Sequence, residues 1–526
     1  MSLVEVTDLS VEFGALRAVD GLSFRLERGG ALALVGESGS GKSTVASALL
    51  GLHRGTGARV SGDVRVAGVD VRTASDDALR RLRGAKAAMV FQDPLSSLDP
   101  YYAIGDQIAE VYRVHARVSR RAARARAVEV LDRVGIPDAA RRSRSRPHEF
   151  SGGMRQRALI AMALACRPEL LIADEPTTAL DVTVQAQILD LLHALREETG
   201  MGLLLVTHDV GVAAESVDEV LVMRHGRAVE HGPVTGVLGS PRAAYTRDLL
   251  AAVPRVDAPR APSEVSDEVV LEAVGLRREF GRGKGVFRAV DDVSLTLRRG
   301  ETLGIVGESG SGKTTLGRML VGLLEPTAGE IRPGGGVRPD VQMVFQDPVS
   351  SLNPRRSVGE SIADPLRARG GLDEQRVRER VRHLLERVGL EAAHYDRYPH
   401  EFSGGQRQRV GIARALAAGP RVIVCDEPVS ALDVTTQAQV VALLAELQRE
   451  FGLALVFVAH DLAVVRQVSD RVAVMRRGRI VESGPADQVY GSPRDPYTRQ
   501  LLAAVPALDP QVAARRRAAR RELAAA

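Results

Sequence analysis

"GESGSGKST" occupies Gly36 to Thr44, and "GESGSGKTT" occupies Gly307 to Thr315. Each fits G-x-x-x-x-G-K-[ST], in which glycines let backbone N–H groups close around phosphate oxygens. The lysine (Lys42, Lys313) then reaches the outer phosphates, and the hydroxyl residue after it (Ser43, Thr314) binds Mg²⁺. One copy suggests a nucleotide site, but two raise a question of architecture. Of 71 basic residues only Lys42, Lys86, Lys284 and Lys313 are lysine, so two of the four share one loop position. Arginine substitutes poorly for a compact ammonium among phosphates, which sets these loops apart from a chain-wide arginine habit.

The duplication extends well past the loops. "FQDPLSSLDP" from Phe91 recurs as "FQDPVSSLNP" from Phe345, and "PHEFSGGMRQR" from Pro147 as "PHEFSGGQRQR" from Pro399. "DEPTTALDVTVQAQ" at Asp174 recurs at Asp426, "THDV" at Thr207 as "AHDL" at Ala459, and "YTRDLL" at Tyr245 as "YTRQLL" at Tyr497. From the S-G-G motif onward the offset is constant at 252, as from Ser151 to Ser403. The chain reads as a tandem repeat: 1–254, a Pro- and Ala-containing linker over 255–268, 269–509, and a basic tail over 510–526 read as a solvated end. Lys42 to Gln92 spans 50 residues and Lys313 to Gln346 only 33, which predicts a shortened hairpin region and helix in the second half.

At 526 residues the chain exceeds one ordinary core. Hydrophobic content of 44% with 26% charged residues reads as soluble and globular. No run approaches the roughly 18 apolar residues of a membrane span, and "MSLVEVTDLSVEF" is not patterned as a secretory signal. Cys166 and Cys425 are too few for a disulfide framework or a cysteine-rich metal site, sit in apolar runs, and read as inert packing in a reducing cytoplasm. The arginine-rich stretch from Arg117 to Arg133 has a counterpart with interspersed acids from Glu374, so it reads as a solvated helix face rather than a nucleic-acid surface.

Within each half, short continuous apolar runs such as "ALALVG" and "LLIADEP" alternate with helical stretches, the pattern of a parallel sheet buried on both faces. Gly36, Asp174, Glu175 and His208 each follow such a run, so one sheet edge should collect them.

A phosphate loop, a Gln after "VF", S-G-G, "DEP", "ALD" and "HD", in that order and in both halves, resembles the ATP-binding-cassette family over nearly the whole chain. The resemblance implies an α/β fold of two tandem P-loop ATPase domains. Each would have a RecA-like, mostly parallel core sheet, an antiparallel β subdomain and a helical subdomain. It also answers the question of the two loops. Such cassettes pair head to tail around two ATP molecules, so a fused pair builds both sites within one chain.

By the same resemblance Gly36, Ser38, Gly39, Gly41, Lys42, Ser43 and Thr44 bind the nucleotide, with Ser43, Gln92 and Asp174 around Mg²⁺. Glu175 orients the attacking water, His208 meets the γ-phosphate, and Ser403, Gly404 and Gly405 come from the opposite half. The mirror site uses Gly307, Ser309, Gly310, Gly312, Lys313, Thr314, Thr315, Gln346, Asp426, Glu427 and His460, completed by Ser151, Gly152 and Gly153, with Thr314, Gln346 and Asp426 around the metal. Phe13 in "VEFG" is either core packing or an adenine-stacking ring. In the second half Phe280 takes that place, with Phe287 in competition.

"FQDP-x-SSL-x-P" and the YTR segments look like the oligopeptide, dipeptide and nickel importer branch. That implies a subunit at the cytoplasmic membrane face, powering uptake through two transmembrane permease subunits fed by an extracytoplasmic solute-binding protein, with no nucleic acid. The region "AAVPRVDAPRAP" lacks the cysteines that many relatives carry there, so no iron–sulfur site is expected. The alternative is a soluble tandem ATPase acting on ribosomes or DNA. It fits less well, because the linker is short and zinc-binding cysteines are missing.

Overall fold

Two long strands open the chain, β1 (Ser2–Phe13) and β2 (Leu16–Glu27), and their alternating residues bury Val4, Val6, Leu9, Val11 and Leu22. The computed structural model describes residues 2–178, 180–258, 265–281, 285–334, 341–430 and 432–525. Lys284 and residues 259–264 of the expected linker lie outside the described residues. The chain divides into two compact units. Met1–Leu180, Val184–Val253 and Pro506–Ala526 form the first, and Asp181–Thr183 with Pro254–Val505 the second.

In the first unit β1 and β2 join β4 (Arg59–Val66) and β5 (Val69–Asp70) in an antiparallel sheet of order β2-β1-β4-β5. The core sheet has the order β10-β9-β3-β8-β7-β6, from β3 (Ala31–Val35), β6 (Ala87–Val90), β7 (Leu170–Asp174), β8 (Gly202–Thr207), β9 (Glu219–Arg224) and β10 (Arg227–Pro233). Its strands run parallel except β10, which returns antiparallel at the edge. Every residue of β3, β7 and β8 is buried, as continuous apolar strands between two covering layers require.

The second unit repeats this plan. A three-stranded sheet has the order β12-β11-β14, from β11 (Val269–Phe280), β12 (Phe287–Arg298) and β14 (Ala328–Pro333). The core sheet runs β15-β16-β17-β13-β18-β19, from β13 (Thr302–Val306), β15 (Val341–Val344), β16 (Val422–Asp426), β17 (Ala454–Val458), β18 (Arg471–Arg476) and β19 (Arg479–Pro485). Among the described residues it has no counterpart of β5 or of the helix Asp76–Leu82, where the sequence is 17 residues shorter (50 less 33).

The arginine-rich stretch does form a helix, Arg120–Arg133, capped by Ser119, whose hydroxyl accepts from Ala122 N–H. Its face is not wholly solvated. Arg126 is 7% exposed and donates to the carbonyls of Ala165 (3.0 Å) and Leu164 (3.3 Å), neutralising the negative end of the helix Gly152–Leu164.

The basic tail also departs from the solvated reading. It forms a helix, Pro510–Ala525, that belongs to the first unit, where Arg520 donates to Asp190 (3.0 and 3.2 Å) and to Glu215 (2.8 Å). Arg517 meets His193 at 3.1 Å and the carbonyl of Glu215. Glu215 is only 6% exposed, and its buried carboxylate finds its cation on this helix. Arg520→Glu would leave two carboxylates facing a third. A loss of about 2–4 kcal/mol is expected, read as a lower melting temperature and faster amide exchange across 510–525.

Candidate nucleotide site

β3 runs buried to Val35, the chain turns at Gly36, and a helix begins at Lys42 (Lys42–Leu49). At Gly41 φ is +97°, and an added Cβ would stand 2.4 Å from the Ala18 carbonyl oxygen. At Gly312 φ is +104°, with the Ala289 oxygen at 2.2 Å. No side chain fits either corner, so the loop closes tightly on itself. Lys42 bends back over it, donating from Nζ to the carbonyls of Gly36 (2.7 Å) and Glu37 (2.8 Å) and to Ser40 Oγ (3.3 Å). Lys313 does the same toward Gly307 (2.7 Å) and Glu308 (3.0 Å). Both lysines are 5% exposed. Burial pushes the Lys313 ammonium below its ordinary value, against the pull of Glu427 and other nearby carboxylates. A buried ammonium over a glycine-cornered loop suits a polyanion. Ser38, Gly39, Ser309 and Gly310 form the exposed crowns of the two loops, and Thr44 offers its carbonyl to His53 Nε2 at 3.0 Å.

The carboxyl ends of neighbouring strands face this loop. Asp174 closes β7 and accepts from Ser43 Oγ at 3.0 Å, and Asp426 closes β16 and accepts from Thr314 Oγ1 at 3.1 Å. Burial, chiefly, raises both aspartates above the usual carboxylate value. The next residue, Glu175 or Glu427, holds φ +46°, a left-handed conformation uncommon for glutamate. The N–H of Glu175 donates to Val206 O at 2.8 Å, and that of Glu427 to Val458 O at 2.9 Å.

Each glutamate gathers its polar neighbours. Glu175 Oε2 accepts from Gln92 Nε2 (2.7 Å) and Thr178 Oγ1 (2.9 Å), and Oε1 lies 3.1 Å from His208 Nδ1. Glu427 Oε2 accepts from Gln346 Nε2 (2.8 Å) and lies 3.2 Å from His460 Nδ1. Ser430, at the position of Thr178, instead donates to the Glu427 backbone carbonyl at 3.2 Å. Burial alone would raise the Glu175 carboxyl, yet His208, then Thr178 and Lys42, hold it below its ordinary value. His208 shows the converse: burial opposes its charge, but Glu175 raises it. Glu427 and His460 shift in the same directions.

Within each unit, then, the loop hydroxyl and aspartate meet, and so do the glutamine, glutamate and histidine. Gln92 and Gln346 bond to the glutamates rather than to the Ser43–Asp174 or Thr314–Asp426 pairs. Ser151 and Ser403 cap their own helices, accepting from Met154 and Gln406 N–H at 3.3 Å. An added Cβ at Gly153 would stand 2.4 Å from Val184 Cγ1, and one at Gly405 2.3 Å from Thr436 Cγ2, so the second glycine of each S-G-G motif also serves packing. Phe13 ends β1, 38% exposed, edge-on to His53 at 5.4 Å. Phe280 ends β11 at the matching place, and Phe287 stands opposite it on β12 where Leu16 faces Phe13. The sequence reading missed Tyr245 and Tyr497, whose hydroxyls reach the two loops. Their repetition was visible, but an aromatic in an amphipathic helix ordinarily signals packing.

The glutamate–histidine pairs carry a pH signature. His208 is raised above 6.5, so its stabilisation is present below 6.5 and lost as pH rises through its shifted value. Glu175 is lowered below 4.5, so its contribution is present above 4.5 and lost as pH falls through its shifted value. The pair holds best between these limits. Glu175→Gln should lower the His208 titration midpoint, followed by imidazole NMR, and Glu427→Gln should do so for His460. An unmoved midpoint would refute the pairing.

The ABC transporter family model matches residues 19–178 and 290–430, and that of the oligopeptide/dipeptide transporter C-terminal region matches 229–273 and 481–525. The glutathione import ATP-binding protein GsiA of Salmonella choleraesuis (strain SC-B67) is 48% identical over 94% of this chain and 87% of its own. Its namesake from Shigella dysenteriae serotype 1 (strain Sd197) is 48% identical over 97% and 90%. A solved ATP-binding cassette, dimeric in a post-hydrolysis state with ADP and Pi, is 28% identical over 44% of this chain and 98% of that chain, at a TM-score of 0.40. Matched in both halves and nearly half identical to full-length relatives, the chain belongs to the ABC transporter family, whose ATP-binding subunits hydrolyse ATP.

Proposed function

We propose that this chain powers the import of peptides or a related small solute such as glutathione, with both ATP sites supplied by one polypeptide. Its partners would be two membrane-spanning permease subunits and an extracytoplasmic solute-binding protein, and its place the cytoplasmic face of the membrane. One observation carries the reading. The same constellation of loop lysine, hydroxyl–aspartate pair and Gln–Glu–His cluster occurs in both units. Each is followed by a match to the oligopeptide/dipeptide transporter C-terminal region. Among the described residues no helix is long and apolar enough to cross a membrane, and the reading assigns the crossing to the permeases.

In this mechanism Lys42 and Lys313 neutralise phosphate charge that the loop N–H groups encircle. Glu175 and Glu427, kept ionised by their histidines, would accept a hydrogen bond from the attacking water. His208 and His460, whose proton affinity the same pairs raise against burial, would when protonated add positive charge where the γ-phosphate is transferred. The oxygen-only pairs Ser43–Asp174 and Thr314–Asp426 fit a hard cation, and Mg²⁺ there would screen the phosphate oxygens. The repeated motifs support the further reading that each loop is completed by the S-G-G helix of the opposite half.

Glu175→Gln together with Glu427→Gln should cut phosphate release by about 10²-fold or more while ATP still binds. Unchanged hydrolysis would sink the assignment of the two glutamates. Isolation of the chain from gently solubilised native membranes should bring two multi-span subunits with it, whereas ribosomes or DNA instead would overturn the importer.

A further inference from the structure

The tyrosines of the repeated YTR segments each reach the phosphate loop of their own unit. The backbone N–H of Glu37 donates to the Tyr245 hydroxyl at 3.4 Å, and that of Glu308 to the Tyr497 hydroxyl at 3.1 Å. Both rings are buried, and a guanidinium lies over each, Arg224 on Tyr245 and Arg476 on Tyr497, 4.7 Å from the centroid.

The helices that carry them are pinned alike. Glu230 on β10 accepts the N–H groups of Arg242 (2.9 Å) and Ala243 (3.2 Å) just before the helix Ala244–Ala252. Glu482 on β19 accepts those of Arg494 (2.8 Å) and Asp495 (3.1 Å) ahead of the helix Pro496–Ala504. Acid, helix, tyrosine and loop thus recur as one device in the two units.

The residue it grips is the one the loop lysine grips from the other side. Lys42 donates to the Glu37 carbonyl and Lys313 to that of Glu308, so each is held at both its N–H and its C=O. A loop fixed before its ligand arrives gives up less conformational entropy on binding, and affinity rises accordingly.

We propose that Tyr245 and Tyr497 are positioning residues for nucleotide binding, holding the first turn of each phosphate loop in its anion-ready shape and tying ATP affinity to the C-terminal segment of each half. The proposal rests on the reading that loops 36–44 and 307–315 hold the phosphates of ATP. Burial keeps the Tyr497 phenol up at about 12, so it stays protonated in any working range and its oxygen serves as a neutral acceptor. The 3.1 Å contact is the better hydrogen bond, which makes Tyr497 the stronger of the two.

The test compares the full-length chain with its Tyr245→Phe, Tyr497→Phe and double variants. It measures the dissociation constant of a fluorescent ATP analogue, kcat at saturating ATP, the melting temperature, and amide exchange in the loop peptides. In the double variant each loop loses one hydrogen bond and should bind about fivefold more weakly, with the larger loss at the loop of Tyr497. Loop exchange should quicken while kcat and melting temperature barely move. Unchanged affinity and loop exchange overturn the proposal, and so does an affinity loss that merely tracks a fall in melting temperature. Lys42→Ala with Lys313→Ala separates the two readings: if that variant binds the analogue normally, the loop assignment itself fails, whereas lost binding alongside inert tyrosine variants defeats only the tyrosines.

Discussion

Everything at the candidate site depends on burying an ammonium inside a loop that has no room for side chains at its corners. Lys42 and Lys313 could not remain 5% exposed without acceptors, and the acceptors are carbonyls of the same loops. The same loops pass the backbone of Ala18 and Ala289 at Gly41 and Gly312, where φ is positive and no Cβ would fit. The antiparallel strands β2 and β12 therefore do more than cover the core: their backbone forms the wall against which the loop bends.

A second constraint acts at the strand ends. β7 and β16 are buried along their whole length, so their first polar side chains appear where the strands leave the sheet. There Asp174 and Asp426 turn to the loop hydroxyls, and the left-handed backbone of the next residue points its carboxylate elsewhere, toward glutamine and histidine. Two adjacent acids thereby have different surroundings and opposite shifts, the aspartate raised mainly by burial and the glutamate lowered by its histidine despite burial. Adjacent carboxylates with separated proton affinities can divide their work between a cation and a water.

Much of this was legible in the sequence because the chemistry admits few residue types at fixed short spacings. A glycine-cornered loop, an acid pair after an apolar strand, and the constant offset of 252 between halves announce the parallel sheet and the residues at its edge. The rest depended on partners distant in the chain. Arg520 looks solvated beside its arginine and alanine neighbours, and only the fold brings it to Asp190 and Glu215, some 300 residues earlier. Arg126 sits in an equally basic stretch and is buried because it closes the end of another helix. Tyr245 and Tyr497 look like core aromatics by spacing, since no local pattern shows where a hydroxyl will land.

The two halves also show which features the site requires. The second lacks a counterpart of β5 and of the helix Asp76–Leu82 among the described residues, yet its loop, aspartate and glutamate bonds match those of the first within 0.2 Å (2.8 against 3.0 Å for lysine to the second loop carbonyl). The hairpin region therefore does not set the site. The halves diverge at the loop, where Lys42 also reaches Ser40 Oγ while Ser311 Oγ has no hydrogen-bond partner among the described residues, and in the grip on the glutamate. Thr178 adds a hydroxyl to a carboxylate that is already held on both oxygens, whereas Gln346 and His460 converge on one oxygen of Glu427 and Ser430 turns to the backbone. A carboxylate fixed at both oxygens is more completely preorganised than one held at a single oxygen. A single methyl group, threonine for serine, thus coincides with a chemical difference between two sites that share their loop-carbonyl, aspartate and glutamine bonds.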